Sequence, residues 1–174
     1  MRVSNKWLKE LVNIDDTVEN IADKMLLVGN EYESITKLCP CTNLVVGRVV
    51  SRKDHPDSDH LNVCEVDFGD KIYQIVCGAP NVDANQKVIV AKVGAMLPAG
   101  EIKATVIRGV ESNGMICSLA ELGLESKYVK ESDKKGIHVL KDSAPVGLDA
   151  LVYMAFDDTY VDYELTANRS DLLS

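Results

Sequence analysis

The apolar positions of this chain change period twice, and the changes divide it into three parts. Over the first forty residues the spacing is helical, then extended. Ser4 stands as an N-cap before Trp7, Leu8, Leu11 and Val12, which share one helical face. Asp16 with Glu19 three residues later reads as a capping box for a second helix carrying Val18, Ile21, Ala22 and Met25, and Gly29 is placed to end it in a left-handed conformation. Glu31 to Leu38 then reads as extended. From Leu44 the period becomes that of strands. Leu44 to Val50, Leu61 to Phe68, Lys71 to Cys77, Lys87 to Val93 and Glu101 to Val110 are rich in β-branched residues and separated by Gly, Pro, Asn and Asp. Five short strands at this spacing predict a small barrel, an OB-fold or a sandwich, with Gly69-Asp70 as a hairpin turn and the polar stretch Ser51 to His60 as a long first loop. Ser118 to Leu124 adds a helical turn, Tyr128 to Gly136 a charged loop and Ile137 to Leu140 a short strand. Beyond Pro145 and Gly147 the apolar pieces Val152 to Phe156 and Val161 to Leu165 return among acids, and the ending at Ser174 reads as a cut.

Composition narrows the class. With 46% hydrophobic and 26% charged residues the chain has a globular balance, and no apolar run approaches the roughly 18 residues of a membrane span. The charged start from Met1 to Leu11 does not read as a secretory signal, so a cytoplasmic protein without membrane partners is expected. The five cysteines, Cys39, Cys41, Cys64, Cys77 and Cys117, are odd in number and contain no C-x-x-C pair. Neither a disulfide framework nor a metal site is expected, even with His55 or His60 as further ligands, because structural zinc spaces its cysteines wider than Cys39 and Cys41. The net charge of -8 opposes phosphate binding, but it is uneven: 13 basic stand against 15 acidic residues between Cys41 and Ala150, and 6 against 12 outside. The middle is nearly neutral and is able to present a basic face. Catalytic signatures such as G-x-S-x-G, a Walker loop or H-E-x-x-H are absent from the sequence, and a pairing of Cys77 or Cys117 with His138 involves cysteines in strand runs that usually bury them.

Specific runs go further than periodicity. Asp54 to Leu61 reads DHPDSDHL, Ile75 to Val82 reads IVCGAPNV, Val93 to Gly100 reads VGAMLPAG, and Arg108 to Ser118 reads RGVESNGMICS. In this order they closely resemble the tRNA-binding OB domain family over most of residues 44 to 124. Ser4 to Leu11 (SNKWLKEL), Gly29 to Glu31 and the final run Tyr163 to Ser174 (YELTANRSDLLS) resemble one branch of it, the bacterial phenylalanyl-tRNA synthetase β subunits, with Ala167 where that family usually has proline. The resemblance implies a mainly β fold, a five-stranded OB barrel at residues 40 to 150 inserted into a small α+β domain formed by 1 to 39 and 151 to 174. It implies a tRNA-binding module of a β subunit that pairs with a catalytic α subunit in an α2β2 ligase. That ligase joins phenylalanine to its tRNA with ATP and Mg, while this stretch itself carries no catalytic site and no cofactor. The rival reading is an interaction module that orders neighbouring domains and hardly touches RNA.

The candidate tRNA contacts are Lys53, His55, His60, Asn62, Asn81, Lys92, Lys103, Arg108, Ser112 and Asn113. Several have a structural reading beside the functional one. Pro56 fixes its φ and holds His55 out of helix, while Asp57 and Asp59 are placed for Asx turns. In the functional reading the same loop offers Arg52, Lys53 and His60 to the sugar-phosphate backbone. Relatives commonly carry Lys or Arg where His60 stands. Ser112 to Met115 reads first as a tight turn with Gly114 at positive φ, and Lys87, Lys92, Lys103 and Arg108 matter for RNA only if they cluster. Between Cys41 and Ala150 the aromatics are Phe68, Tyr73 and Tyr128, too few for a base-stacking platform, so recognition by shape and backbone is expected.

Overall fold

A computed structural model describes residues 1–124 and 129–166. Tyr128 and the run Ala167 to Ser174 lie outside the described residues. In chain order the elements are β1 (Arg2–Ser4), α1 (Asn5–Leu11), α2 (Val18–Leu27), β2 (Tyr32–Lys37), β3 (Leu44–His55), β4 (Ser58–Asp67), β5 (Ile72–Cys77), β6 (Lys87–Ala91), β7 (Met96–Leu97), β8 (Gly100–Glu101), β9 (Thr105–Ile107), β10 (Val110–Ser112), β11 (Met115–Ile116), β12 (Val139–Leu140), α3 (Ala150–Tyr153) and β13 (Thr159–Tyr163). The chain is mainly β and divides into two compact units, Met1–Leu38 with Phe156–Ser174, and Cys39–Ala155.

In the first unit the two flanks of the sequence form one antiparallel sheet in the order β1-β13-β2, with Val3 and Ile35 both opposite Val161. Ala22 of α2 packs with Val161 and Tyr163, and Val3, Val18, Met25, Tyr32 and Ile35 surround them. Arg2 holds Asp162 through two bonds of 3.0 and 2.9 Å and stacks over Tyr160, with its guanidinium carbon 4.0 Å from the ring centroid. The Ser4 cap forms as the sequence predicts, its hydroxyl accepting from the Trp7 N–H at 3.0 Å. The apolar face behind it does not find a core: Trp7 is 59% and Leu11 67% exposed. This seven-residue helix buries no side chain, and its start is held by polar bonds, including the Lys6 N–H to Asp158 at 3.0 Å. The second helix is capped by Thr17 rather than Asp16. The Thr17 hydroxyl accepts from the Asn20 N–H, while the Asp16 carboxylate gathers the Thr17 N–H, the Asn20 amide and the Lys24 ammonium at 2.9, 2.8 and 2.6 Å. Gly29, at φ +86, ends the helix as expected.

The second unit is organised by β3. Its first half pairs with β6, Leu44 opposite Ala91 through Arg48 opposite Lys87, and from Arg48 onward it pairs with β4, which pairs in turn with β5. With β11 and β12 on β6 the result is an open six-stranded sheet, β11-β6-β3-β4-β5 with β12 beside β11 on the β6 edge. The core between its strands and loops includes Val49, Cys64, Val66, Phe68, Ile75, Val88, Val90 and Ile116. Two expectations change. The polar stretch Ser51 to His60 is not a loop, because β3 and β4 continue pairing through it and leave only Pro56 and Asp57 as the turn. The single strand expected over Glu101 to Val110 breaks into β8, β9 and β10, because Arg108 at φ +47 and Gly109 at φ +82 form a two-residue hairpin turn that folds β9 back on β10. Among the described residues no helix is long and apolar enough to cross a membrane.

Gly47 sits where β3 changes partners, and a Cβ there would meet Val90 Cγ2 at 2.6 Å and Val66 Cγ1 at 2.9 Å. Gly47→Ala is expected to cost about 1–3 kcal/mol by overpacking, measured by urea unfolding. The lysine and backbone donors around Asp16 hold its carboxyl at about 2, below the ordinary 3.8. A depressed carboxyl contributes stability that is present above the unfolded value and lost as pH falls through the folded one. Asp16→Asn is therefore expected to remove part of the stability loss between about pH 4 and pH 2, read by acid titration of unfolding beside the carboxyl resonance of Asp16.

Candidate nucleic-acid interface

The tip of the β3–β4 hairpin is built by a histidine. His55 is 4% exposed. Its Nδ1 accepts from the Asp57 N–H at 3.1 Å, which leaves the ring proton on Nε2 to be donated to the Ile107 carbonyl at 3.1 Å. The turn is thus capped by the imidazole, and Ser58 adds an acceptor for the His60 N–H at 3.4 Å. These bonds fill the place expected of Asp57 and Asp59. On one face of the hairpin Arg52 donates from Nε to Asn62 at 2.9 Å and lies 3.4 Å from Asp54. On the other face Lys53, exposed and opposite Val63, lies beside the bonded pair Ser51–Glu65. The second hairpin turn comes to the same place, where Arg108 donates from Nη1 to the Asp57 carbonyl at 2.8 Å.

Two hollows meet here. One, of about 770 Å³, is lined by the buried Ile116 and Ile137, by Ile107 of β9 and by the charged Glu101, Lys103 and Lys134. The other, of about 650 Å³, is lined by Arg52, Asp54, His60 and Asn62. They share Leu61, Gly78 and Pro80 and so adjoin. The cations are not bare: Lys103 stands 3.6 Å from Glu101, and Lys134 is paired with Glu131. A ligand that bonds here competes with those carboxylates, which lowers what each contact contributes.

The ten candidate residues divide accordingly, with Lys53 on the far face of the hairpin and in the lining of neither hollow. His55, His60, Asn62 and Arg108 gather at the hairpin tips, and Lys103 and Ser112 line the larger hollow. Of these, His55, Asn62 and Ser112 are buried and already bonded. The Ser112 hydroxyl donates to the Gly114 carbonyl and accepts from the Val76 N–H, both at 3.1 Å. Asn81 spends its carboxamide on the backbone of Ile137 in both directions, at 2.8 and 2.9 Å. Asn113 is half-buried, and its N–H ties to the Gln74 carbonyl. Lys92 lies at the far end of β4, 4.0 Å from Asp70 and 5.7 Å from the Phe68 ring centroid. That is about 23 Å along the strand from His60 at the usual rise per residue. Lys87 donates to the Ala144 carbonyl and is a packing residue. Lys134 is the lining cation that sequence reading missed, since it falls in a charged stretch with no periodicity. Its place follows from the Asn81–Ile137 clamp, which draws that stretch against the sheet.

The cysteines do no visible chemistry. All five are free and buried, and Cys39 and Cys41 direct their thiols at the Leu122 carbonyl at 3.4 and 3.6 Å. His138 faces Asp133 at 2.9 Å rather than a cysteine. Among the described residues no group of three or more ligating side chains is placed to hold a metal ion.

This arrangement, paired hairpin tips over adjoining hollows, lies within a recognised family. The family described as "Putative tRNA binding domain" matches residues 44–149, and the chain belongs to it. Over its whole length the chain is also 51% identical to the "Phenylalanine--tRNA ligase beta subunit" of Staphylococcus aureus strain bovine RF122 / ET3-1, and 51% identical to that of strain MSSA476. Each match covers 100% of this chain and 22% of the relative, so the chain spans about a fifth of the length of the curated relatives it matches. The resemblance to β subunits read from the flanking runs therefore holds along the whole chain. Among solved structures, "Crystal structure of MetRS related protein from Pyrococcus horikoshii" overlaps with a TM-score of 0.43 at 25% identity, over 60% of this chain and 84% of that one.

Burial pushes the thiols of Cys64 and Cys117 up to about 12, and Cys41 is raised as far by burial and by a thiol hydrogen bond with Cys39. At pH 8 all three are protonated and poor nucleophiles. A thiol reagent at that pH is expected to label Cys41, Cys64 and Cys117 only upon unfolding, and rapid labelling of any of them in the native protein would contradict the buried arrangement.

Proposed function

We propose that this chain is a tRNA-binding module of a phenylalanine-tRNA ligase β subunit, working in the cytoplasm. In this reading the binding domain is a five-stranded OB barrel, and the parent is an α2β2 enzyme whose α subunit carries aminoacylation with ATP and Mg. The stretch described here binds and does not catalyse. The observation that carries the reading is the pair of adjoining hollows at the hairpin tips, inside the segment that matches the tRNA-binding family. Barrel closure is supported at β5, whose outer edge is met by residues 111–113. The Asn113 N–H donates to the Gln74 carbonyl, the Gln74 amide donates to the Glu111 carbonyl, and the segment leads directly into β11 on β6.

The mode of binding follows from what the site offers. Phe68 and Tyr73 stack on each other with centroids 4.3 Å apart, Phe68 is fully buried, and the Lys71 ammonium stands 4.9 Å from the centroid of the half-buried Tyr73 ring, which leaves base stacking a minor mode. Arg52, Lys53, His60, Lys103 and Lys134 remain as donors to sugar and phosphate. Such contacts recognise the shape of a folded tRNA and weaken as salt competes for the phosphates.

The test is tRNA binding measured by fluorescence anisotropy at several salt concentrations. Binding is expected to be weak, to favour folded tRNA over single strands, and to fall steeply with salt. His60→Lys is expected to tighten it and to add roughly 0.7 to 0.9 to the logarithmic salt slope. Equal affinity for unstructured RNA, or no binding at low salt, would sink this reading. One observation favours the rival interaction module: Trp7, Leu11, Leu27 and Val28 are large apolar residues open to solvent in the first unit.

A further inference from the structure

The two hairpin turns hold each other by bonds of the same kind in opposite directions. His55, from the β3–β4 hairpin, donates to the backbone carbonyl of Ile107, the residue immediately before the β9–β10 turn. Arg108, from the β9–β10 turn, donates to the backbone carbonyl of Asp57 in the β3–β4 turn. We propose that His55 and Arg108 form a reciprocal latch that positions the two hairpins for RNA while neither side chain makes its contribution by touching a phosphate. The proposal rests on the tRNA-binding reading, and in it both side chains position the surface rather than touch the ligand.

Three features support a latch. First, among the described residues β9 and β10 form a two-stranded ribbon with no ladder to the six-stranded sheet. A ribbon of three residues per strand is marginal alone. Its base is tied by the bonds of Gln74 to Glu111 and Asn113 and of Val76 to Ser112, while its tip is bonded across the gap by His55 and Arg108. Second, a buried imidazole requires partners for both ring nitrogens, and His55 has both, one within its own turn and one across the gap. Third, Arg108 occupies a left-handed position, φ +47, where Gly or Asn would be easier. An arginine there tolerates local strain, and its guanidinium supplies what those residues lack, a donor long enough to reach the opposite turn. The position of the latch matters because β9 borders the larger hollow through Thr105 and Ile107, and the β3–β4 turn borders the smaller through His55 and Ser58. The latch therefore fixes the width of the surface at the junction of the two hollows.

Two substitutions separate positioning from contact. In His55→Asn the shorter amide oxygen replaces Nδ1 as acceptor for the Asp57 N–H but does not extend to Ile107, so the turn is kept and the cross-bond lost. In Arg108→Asn the left-handed turn is kept and the donor to Asp57 is lost. Amide hydrogen exchange of the full chain should quicken over Val106–Val110 in both variants, with the exchange of Ile75 and Val88 unchanged. Each variant should weaken tRNA binding by roughly three- to tenfold, the range of one hydrogen bond. The salt slope should stay as in the unmodified chain, and the double variant should fall short of the product of the two, because either loss frees the same gap. A slope reduced by roughly 0.7 to 0.9 in Arg108→Asn would assign Arg108 to a phosphate and overturn the proposal. Unchanged exchange over Val106–Val110 in both variants would overturn it as well. If the unmodified chain binds no tRNA, the functional reading fails while the exchange data still decide the latch.

Discussion

Strand β3 is the member on which the rest of the binding unit depends. Within twelve residues it pairs first with β6 and then with β4, so it has to bring two neighbours against one backbone. Gly47 is placed at that change of partner, where Val90 and Val66 leave no room for a side chain. Close packing at this point is what lets the second half of β3 swing out with β4 as a long hairpin. The hairpin carries Arg52, His55, His60 and Asn62 to the place where the hollows meet. A binding surface formed at the end of a strand inherits the rigidity of the sheet, which lowers the ordering cost of each contact it makes.

Much of the fold is legible in the residues. The runs from Leu44, Leu61, Lys71 and Lys87 are strands because β-branched side chains fill one pleated face, and the Ser4 cap and the Gly29 stop act as their chemistry requires. What escapes a reading by periodicity has physical causes. Ser51 to His60 is polar, so it reads as a loop, yet polar strands are stable when their partner strand supplies the ladder and one buried histidine closes the turn. Arg108 looks like a phosphate anchor because it is cationic, and only the folded backbone shows its left-handed φ and its bond to the Asp57 carbonyl. Trp7 and Leu11 have helical spacing, but spacing states which residues share a face and not whether anything covers it.

The candidate site was half visible for the same reason. The DHPDSDHL run falls on the β3–β4 hairpin, and its residue types mark hydrogen-bond donors. The division of labour among them depends on burial, which no residue type reveals. His55, Asn62 and Ser112 are buried and Asn81 is half-buried, all four bonded within the fold, whereas His60 and Lys103 are open to solvent at the hollows and Lys53 is open on the opposite face of the hairpin. A chain of net charge -8 thereby presents a few cations around the hollows, with Arg52, Lys103 and Lys134 each near an acid, which weakens what any one of them offers a phosphate.

The sheet of the first unit has an implication for synthesis. Its central strand, β13, lies between β1 and β2, but 121 residues separate Lys37 from Thr159 in the chain. At ordinary translation rates those residues take about 6 to 24 seconds to emerge from a ribosome. During that interval β1 and β2 exist without the strand that joins them, and Ala22 has neither Val161 nor Tyr163 to pack against. The inserted unit, whose sheet is complete by Leu140, is able to fold before its host does. Residues 1–38 are thus made well before the strand that completes their sheet, and their apolar positions wait for it.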